Sequence, residues 1–545
     1  LRFPLLVILL CGGIFFAPHI GIAAGLDPAP AFPFLMITQL ALPLAVLLVL
    51  IWWLFFSGVP WLVRIGALLV LLPLPPLAFF MFVRSVEFTT DDIGMRPIFH
   101  FQWEPTAQER YIAYRAKEAA AAKELPKIDA IVGPEDFAEY RGPKRDGVIP
   151  YLNLHTDWKQ RPPELVWKHP CVEGYSGIAV AGNIAVTIEQ RGDPTKEEPL
   201  REVIVCYDRA TGRERWVHES KAFYKDSQLM GDGPRSTPTI HGGRVFTVGA
   251  TGQLTALSAE GKLLWEINIL EDSKSKNITW GMSGSPLIVK DLVIAHAGVD
   301  PDNPAGAALV AFEQATGKKR WAVGNRKAGY SSPQLATFGG VPQILLFDGE
   351  GLVSYDPETQ KELWKHPWVS EMDMNMIQPV IVGGDRVFIS SGPPGEKSAA
   401  MLSVKSPGRS QAELGNEKPW TVEEVWKNKK FGARFANPVS DGKRIFGLDG
   451  VLGVLTCLDV NDGQLLWKGE RCGPGQMLLV GDMLLVVNAK GAVQLFDPKA
   501  GDAVELSRYE LLDPATKTWN TPALAGNELF VRNQREIACY RLPRR

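Results

Sequence analysis

From about Leu165 to Leu542 the chain alternates short apolar runs with turn-forming residues, and one phrase marks the rhythm. Tyr207-Asp208-Arg209-Ala210-Thr211-Gly212 leads to Trp216, and copies lead from Phe312 through Gly317 to Trp321, from Tyr355 through Gln360 to Trp364, and from Leu458 through Gly463 to Trp467. Looser copies end at Trp265 and Trp426, while Phe496-Asp497-Pro498 with Gly501 keeps the turn and loses the Trp. An apolar strand, an Asp-and-Gly reversal and an apolar run closed by Trp predict a hairpin. Upstream of most copies stands a small or polar residue before Pro, as in Thr237-Pro238, Ser285-Pro286, Ser332-Pro333, Gln378-Pro379, Asn437-Pro438 and Thr521-Pro522, followed by strand, turn and strand. Each repeat therefore predicts four strands.

Eight such sets begin near Gly177, Thr237, Ser285, Ser332, Gln378, Asn437, Gln476 and Thr521, with a mean period of about 48 residues. The last lacks its closing hairpin partner, and the unmatched strand Pro163–Trp167 carries the same apolar-Trp ending. Joining the two completes a blade and removes an exposed sheet edge. The prediction is an all-β, eight-bladed β-propeller of four-stranded antiparallel blades, closed by an N-terminal strand.

Residues 1–85 follow another pattern. Apolar stretches at Phe3–Ala24, Phe34–Phe56 and Trp61–Val83 each approach the roughly 20 residues that cross a bilayer as helix, so three transmembrane helices are expected before the propeller. Arg2 and Arg64 on the cytoplasmic side would put the large C-terminal part outside, and a first span cleaved near Ala23-Ala24-Gly25 would leave that unchanged. Thr106-Ala107-Gln108-Glu109 has capping-box spacing and opens a helix toward Glu124, read as an exposed stalk. Turn formers from Phe137 to Pro150 make an ordered lead-in loop. The expected division is a membrane region 1–85, stalk and lead-in 86–160, and propeller 161–545.

Composition narrows the function classes. The 545 residues are 46% hydrophobic with a net charge of −2, so no basic excess points to nucleic acid. No His-Glu-x-x-His, Cys-x-x-Cys, Walker or Gly-x-Ser-x-Gly pattern occurs, and the Arg191-Gly192-Asp193 triplet sits in a polar insertion. Of the six cysteines, Cys206, Cys457 and Cys539 share one repeat position as small apolar strand residues. Cys171 and Cys472 occupy matched loops after Trp167 and Trp467, where an oxidising compartment would allow a disulfide, but the blades concerned are not adjacent, which argues against the pairing.

The phrase Asp208-x-x-Thr211-Gly212-x-x-x-Trp216 and its copies resemble the pyrroloquinoline-quinone (PQQ) repeat. That repeat is shared by quinoprotein alcohol dehydrogenases and the lipoprotein propeller of the outer-membrane β-barrel assembly machinery. The lead-in Tyr140-Arg141-Gly142-Pro143-x-Arg145-Asp146-Gly147 after a membrane region is similar to a group of bacterial PQQ-like propeller proteins. The resemblance implies that the repeated Trp docks between blades and that loops before the innermost strands converge on the channel mouth. There Arg235, Trp280, Tyr330, Asn375, Asn437, Trp519 and Asn520, with Tyr175, Arg434 and Gln476 nearby, would suit a flat, anionic, hydrogen-bonding ligand. The same groups would equally serve loop backbone and trapped water.

For the quinoprotein enzymes the resemblance implies adjacent cysteines, calcium-binding carboxylates and amides, and a catalytic aspartate. This chain has no Cys-Cys pair, and Glu173, Asp232 and Asp373 near the mouth show no calcium-cage spacing. No catalytic residue and no metal ligand is assigned. The expectation is a bacterial inner-membrane protein with a periplasmic propeller, acting as a non-catalytic scaffold for an envelope protein or as a ligand-binding module. A sensor, or a PQQ- and calcium-dependent oxidoreductase, is the alternative.

Overall fold

In four of the repeats the turn glycine of the repeated phrase, Gly212, Gly261, Gly317 or Gly463, is left-handed and reverses the chain, and four strands assemble per blade. Eight sheets result, described in a computed structural model covering residues 2–23, 41–90, 95–120, 124–192, 199–225, 231–300, 302–303, 306–368, 370–391, 398–407, 419–499 and 501–545. Blades 1 to 7 span residues 179–220, 239–268, 287–323, 334–367, 380–428, 439–471 and 476–510. Blade 8 joins Ala523–Ala525, Glu528–Arg532 and Glu536–Arg541 to the N-terminal strand Glu164–Pro170, with Trp167 opposite Cys539. The predicted closure of the eight-bladed propeller is present.

The repeated Trp explains the repeated Gly. The indole of Trp167 lies on Gly212 of blade 1, that of Trp216 on Gly261 of blade 2, that of Trp265 on Gly317 of blade 3 and that of Trp426 on Gly463 of blade 6. A Cβ on Gly212 would stand 2.5 Å from the Trp167 ring, so bare backbone is needed as well as positive φ. Each of these indoles donates to a carbonyl in the next blade's turn: Trp167 to Arg209 at 2.8 Å, Trp216 to Ala259 at 2.7 Å, Trp265 to Gln314 at 3.0 Å and Trp426 to Val460 at 2.9 Å. Hydrophobic contact and a satisfied N–H thus join neighbouring blades. Blade 4 breaks the rule: Gln360 replaces the glycine at φ 61, its amide donates to Pro357 O at 3.4 Å, and the buried Trp321 Nε1 finds no acceptor among the described residues.

Cys206, Cys457 and Cys539 each pair across the ladder with Trp216, Trp467 and Trp167, where a bulge follows and a small side chain is required. The disulfide considered for Cys171 and Cys472 is not formed. Both are buried free thiols in different apolar clusters, because the matched loops belong to blades 8 and 6, which are not neighbours. Burial pushes the Cys171 thiol up to about 12, and its Sγ donates to Asn533 O at 3.4 Å.

The chain divides into two compact units, residues 1–87 with 97–104 and residues 88–96 with 105–545. In the first, helices run Arg2–Ala23, Ala41–Phe56, Trp61–Leu71 and Leu74–Phe82. Arg64 caps the second of these, donating to Val59 O and Leu54 O at 2.6 Å each. Three membrane spans were expected. Among the described residues only Trp61–Phe82 is long and apolar enough to cross a bilayer; Phe3–Ile14 and Pro43–Phe56 are apolar but short, and residues 24–40 lie outside the description.

In the second unit the capping box forms, with Glu109 N donating to Thr106 Oγ1 at 3.0 Å and Thr106 N to Glu109 Oε2 at 2.8 Å. The helix Ala107–Ala120 is no free stalk, however. Tyr111 is buried and donates to Glu214 of blade 1, Arg191 lies 4.2 Å from the Tyr111 ring centroid, and Tyr114 stacks on His169 of blade 8 at 4.8 Å. One apolar-aromatic face of a mostly polar helix suffices to dock it.

Candidate functional site

The lead-in segment positions the site. Phe137 exchanges backbone hydrogen bonds with Val180 of blade 1 at 3.0 and 2.9 Å, and Ala138 O accepts from Ile240 N of blade 2 at 2.7 Å. Arg145 then donates to Ser285 O at 3.1 Å and Pro286 O at 3.0 Å, at the entry to blade 3. Arg141 donates to Pro438 O at 2.7 Å beside blade 6, and Val148-Ile149 run parallel to Leu479-Val480 of blade 7. Blades 3 and 7 face each other across an eight-membered ring, so this stretch crosses the channel. Arg141 and Arg145 are buried with φ of 62 and 55, and a Cβ on Gly147 would lie 2.7 Å from the Arg141 guanidinium. Such backbone persists only where surroundings hold it.

Against this crossing lies a cavity of about 330 Å³, walled by Tyr140 from the lead-in, Tyr175, Arg235, Trp280, Ser283, Tyr330, Ser332, Met372, Met374, Met376, Arg434, Phe435, Asn437, Gln476, Trp519 and Thr521. Its aromatics interlock: Trp280 with Tyr330 at 5.6 Å, Tyr175 with Trp519 at 6.0 Å, and Phe435 stacked on Trp519 at 5.5 Å. The buried Nε1 atoms of Trp280 and Trp519 have no hydrogen-bond acceptor among the described residues. Burial pushes the Tyr330 phenol up to about 12.

Five of the seven candidate residues, Arg235, Trp280, Tyr330, Asn437 and Trp519, meet in this wall. Asn375 and Asn520 do not. The Asn375 amide donates to Asp348 O at 2.7 Å and Trp368 O at 2.9 Å, and the Asn520 amide to Gly174 O at 3.0 Å and Ser176 O at 2.9 Å, which ties blade 8 to blade 1. Asn437 is shared: its Oδ1 accepts from Gln378 N at 2.6 Å and its Nδ2 donates to Tyr140. Arg235 is held rather than offered. Its guanidinium donates to Gly233 O at 2.6 Å and Gly231 O at 2.7 Å, between the Tyr175 and Tyr224 rings at 5.2 and 5.0 Å.

Tyr140, Phe435 and the three methionines were not among the candidates. The methionines left a signal in the composition, since three of the chain's 11 fall in the five residues Met372 to Met376. Tyr140 left none, because only the fold brings the lead-in to the channel.

The fit to PQQ with calcium is poor. Among the described residues the cavity wall contains no Asp, Glu, Cys or His, and Arg235 is already committed to backbone carbonyls. Among the described residues no three His, Cys, Asp or Glu side chains gather as a metal-ligating group. Hard Ca²⁺ needs six to eight oxygen ligands, commonly with carboxylates among them.

Comparison with known proteins agrees with the repeat architecture. A BamB from Burkholderia pseudomallei (strain K96243), named as an outer membrane protein assembly factor, is 25% identical over 303 residues, covering 53% of this chain and 71% of that protein. The crystal structure of BamB from Moraxella catarrhalis aligns at 13% identity over 70% of this chain and 100% of that one, with a TM-score of 0.47. A europium-containing methanol dehydrogenase aligns at 13% identity over 75% and 98%, with a TM-score of 0.41. At those scores the fold rests on the chain's own strands. The family model described as outer membrane protein assembly factor BamB matches residues 200–409 and 409–543, more than half of the chain, which therefore belongs to that family of PQQ-repeat propellers.

Proposed function

We propose that this protein is a non-catalytic scaffold of the bacterial envelope, whose aromatic- and methionine-lined channel mouth receives part of a protein partner. The observation that carries the reading is the cavity wall itself: aromatic rings from several blades and thioethers, among whose described residues no carboxylate, thiol or imidazole stands to perform acid–base or nucleophilic chemistry. Large rigid rings and adaptable methionines are the side chains that carry binding energy at protein interfaces. Relatives named as outer membrane assembly factors favour an assembly role in the same compartment.

In this reading the N-terminal region to about residue 85 anchors the protein to a membrane, and the propeller faces the periplasm. The support is Trp61–Phe82, which leaves Leu62, Leu69 and Phe80 among the most exposed apolar side chains of its unit. A photoreactive residue placed at Trp280 or Trp519 in the full chain tests the scaffold. A discrete envelope-protein adduct at the mouth, absent when the probe replaces exposed Leu465 on an outer strand, is expected. Equal labelling at all three positions, or none at the mouth, overturns the reading.

A further inference from the structure

Met372, Met374 and Met376, on the loop that enters blade 5, all line the channel-mouth cavity. The loop is built rather than slack. Asn375, between two of them, is fully buried, its amide held by Asp348 O and Trp368 O and its own carbonyl accepting from Tyr330 N at 3.0 Å. Pinning Asn375 inward leaves its neighbours Met374 and Met376 to the cavity. Met372 and Asp373 both adopt the left-handed conformation, with φ of 57 and 56, which is costly for residues other than glycine.

Packing does not account for that cost, because Met372 is 49% exposed. A strained backbone that presents a large apolar side chain to the mouth points to a ligand. Thioether sulfur is a neutral, soft donor that prefers Cu(I) to Ca²⁺, Mg²⁺ or other hard cations. Among the described residues no carboxylate lines the cavity to compete for a hard ion, and the rings of Trp280 and Tyr330, 5.6 Å apart, line it too and offer π faces to a cation.

We propose that Met372, Met374 and Met376 form a binding site for a soft monovalent cation of the Cu(I) class. The site requires no protein partner and so stands independently of the scaffold reading. The cation is taken up without a change of oxidation state.

The test uses the full chain, titrated anaerobically with Cu(I) against a chromophoric competing chelator and, separately, with redox-inert Ag(I). Tryptophan fluorescence and X-ray absorption serve as readouts. One tightly held equivalent, with sulfur in its coordination shell and quenching of indole emission, is expected. Met374→Leu with Met376→Leu should weaken it at least about tenfold, and the triple Met→Leu variant should lose it. Leucine conserves volume, so the thermal transition of each variant should match the parent, and Met372→Leu at its exposed position provides a variant certain to keep its packing. All six cysteines are buried, and uptake that persists in the triple variant would assign the metal to them and overturn the proposal. Absence of uptake by the parent chain would overturn it equally.

Discussion

The phenol oxygen of Tyr140 accepts a hydrogen bond from Nδ2 of Asn437 at 2.7 Å, across 297 positions of sequence. This contact ties the segment that crosses the channel to the entry of blade 6 and sets one wall of the cavity. Removing the hydroxyl in Tyr140→Phe leaves a buried amide N–H without its partner and should cost about 1 kcal/mol. Gly147→Ala, which drives a Cβ toward the Arg141 guanidinium from a φ of 74, should cost roughly 1–3 kcal/mol. Denaturant unfolding of the full chain measures both, and the same ranking should appear in hydrogen exchange of residues 137–149.

The Trp-on-Gly joint between blades makes a paired prediction. Gly212→Ala collides with Trp167 at the seam where the ring closes and should destabilise by about 2–3 kcal/mol. Gln360→Gly has the opposite sign. It relieves a left-handed glutamine, frees Pro357 O from the Gln360 amide and lets Trp321 donate there, for a gain of up to about 1 kcal/mol. Melting temperatures of the two variants should move in opposite directions.

Glu202 makes stability depend on pH. Burial raises its carboxyl to about 7 from 4.5, against the opposing effects of the Ala250 N–H bond and Arg235. The folded state therefore holds a proton that the unfolded chain releases, so this contribution is complete below about pH 4.5 and is lost as pH rises through about 7. The loss is roughly 3 kcal/mol between pH 4.5 and 8. Glu202→Gln keeps an acceptor for Ala250 N, 2.8 Å from Glu202 Oε1, without the titration. Unfolding curves at pH 5 and pH 8 should show the wild-type chain losing more stability than the variant by about that amount.

Helix Ala107–Ala120 should detach when its buried anchor is cut away. Tyr111→Ala removes the ring beneath Arg191 and the hydroxyl bound to Glu214, at a cost of about 3–5 kcal/mol to docking. Amides of residues 107–120 should then exchange quickly while the blade strands stay protected.

The blade count, the strand order and the closing strand were legible in the chain because hairpins are local. An Asp with a left-handed glycine and alternating apolar residues act within a dozen positions, and each copy repeats the message. The position of the cavity was half legible for the same reason. Loops before the innermost strands mark it, and Arg235, Trp280, Tyr330, Asn437 and Trp519 were found there. Which side chain faces the cavity was not legible. Asn375 and its neighbour Met376 occupy one loop, and only the carbonyls of Asp348 and Trp368 decide that the amide turns inward and the thioether outward.

Sequence alone thus determined the repeat, the turn chemistry and the strand that closes the ring, since each follows from backbone sterics and short-range pairing. Tertiary structure alone decided that residues 137–149 cross the channel and that the helix after Thr106 docks on blades 8 and 1. Those outcomes depend on contacts between residues far apart in the chain. Their free energy comes from burying particular faces together, and no local pattern records which distant face will be the partner.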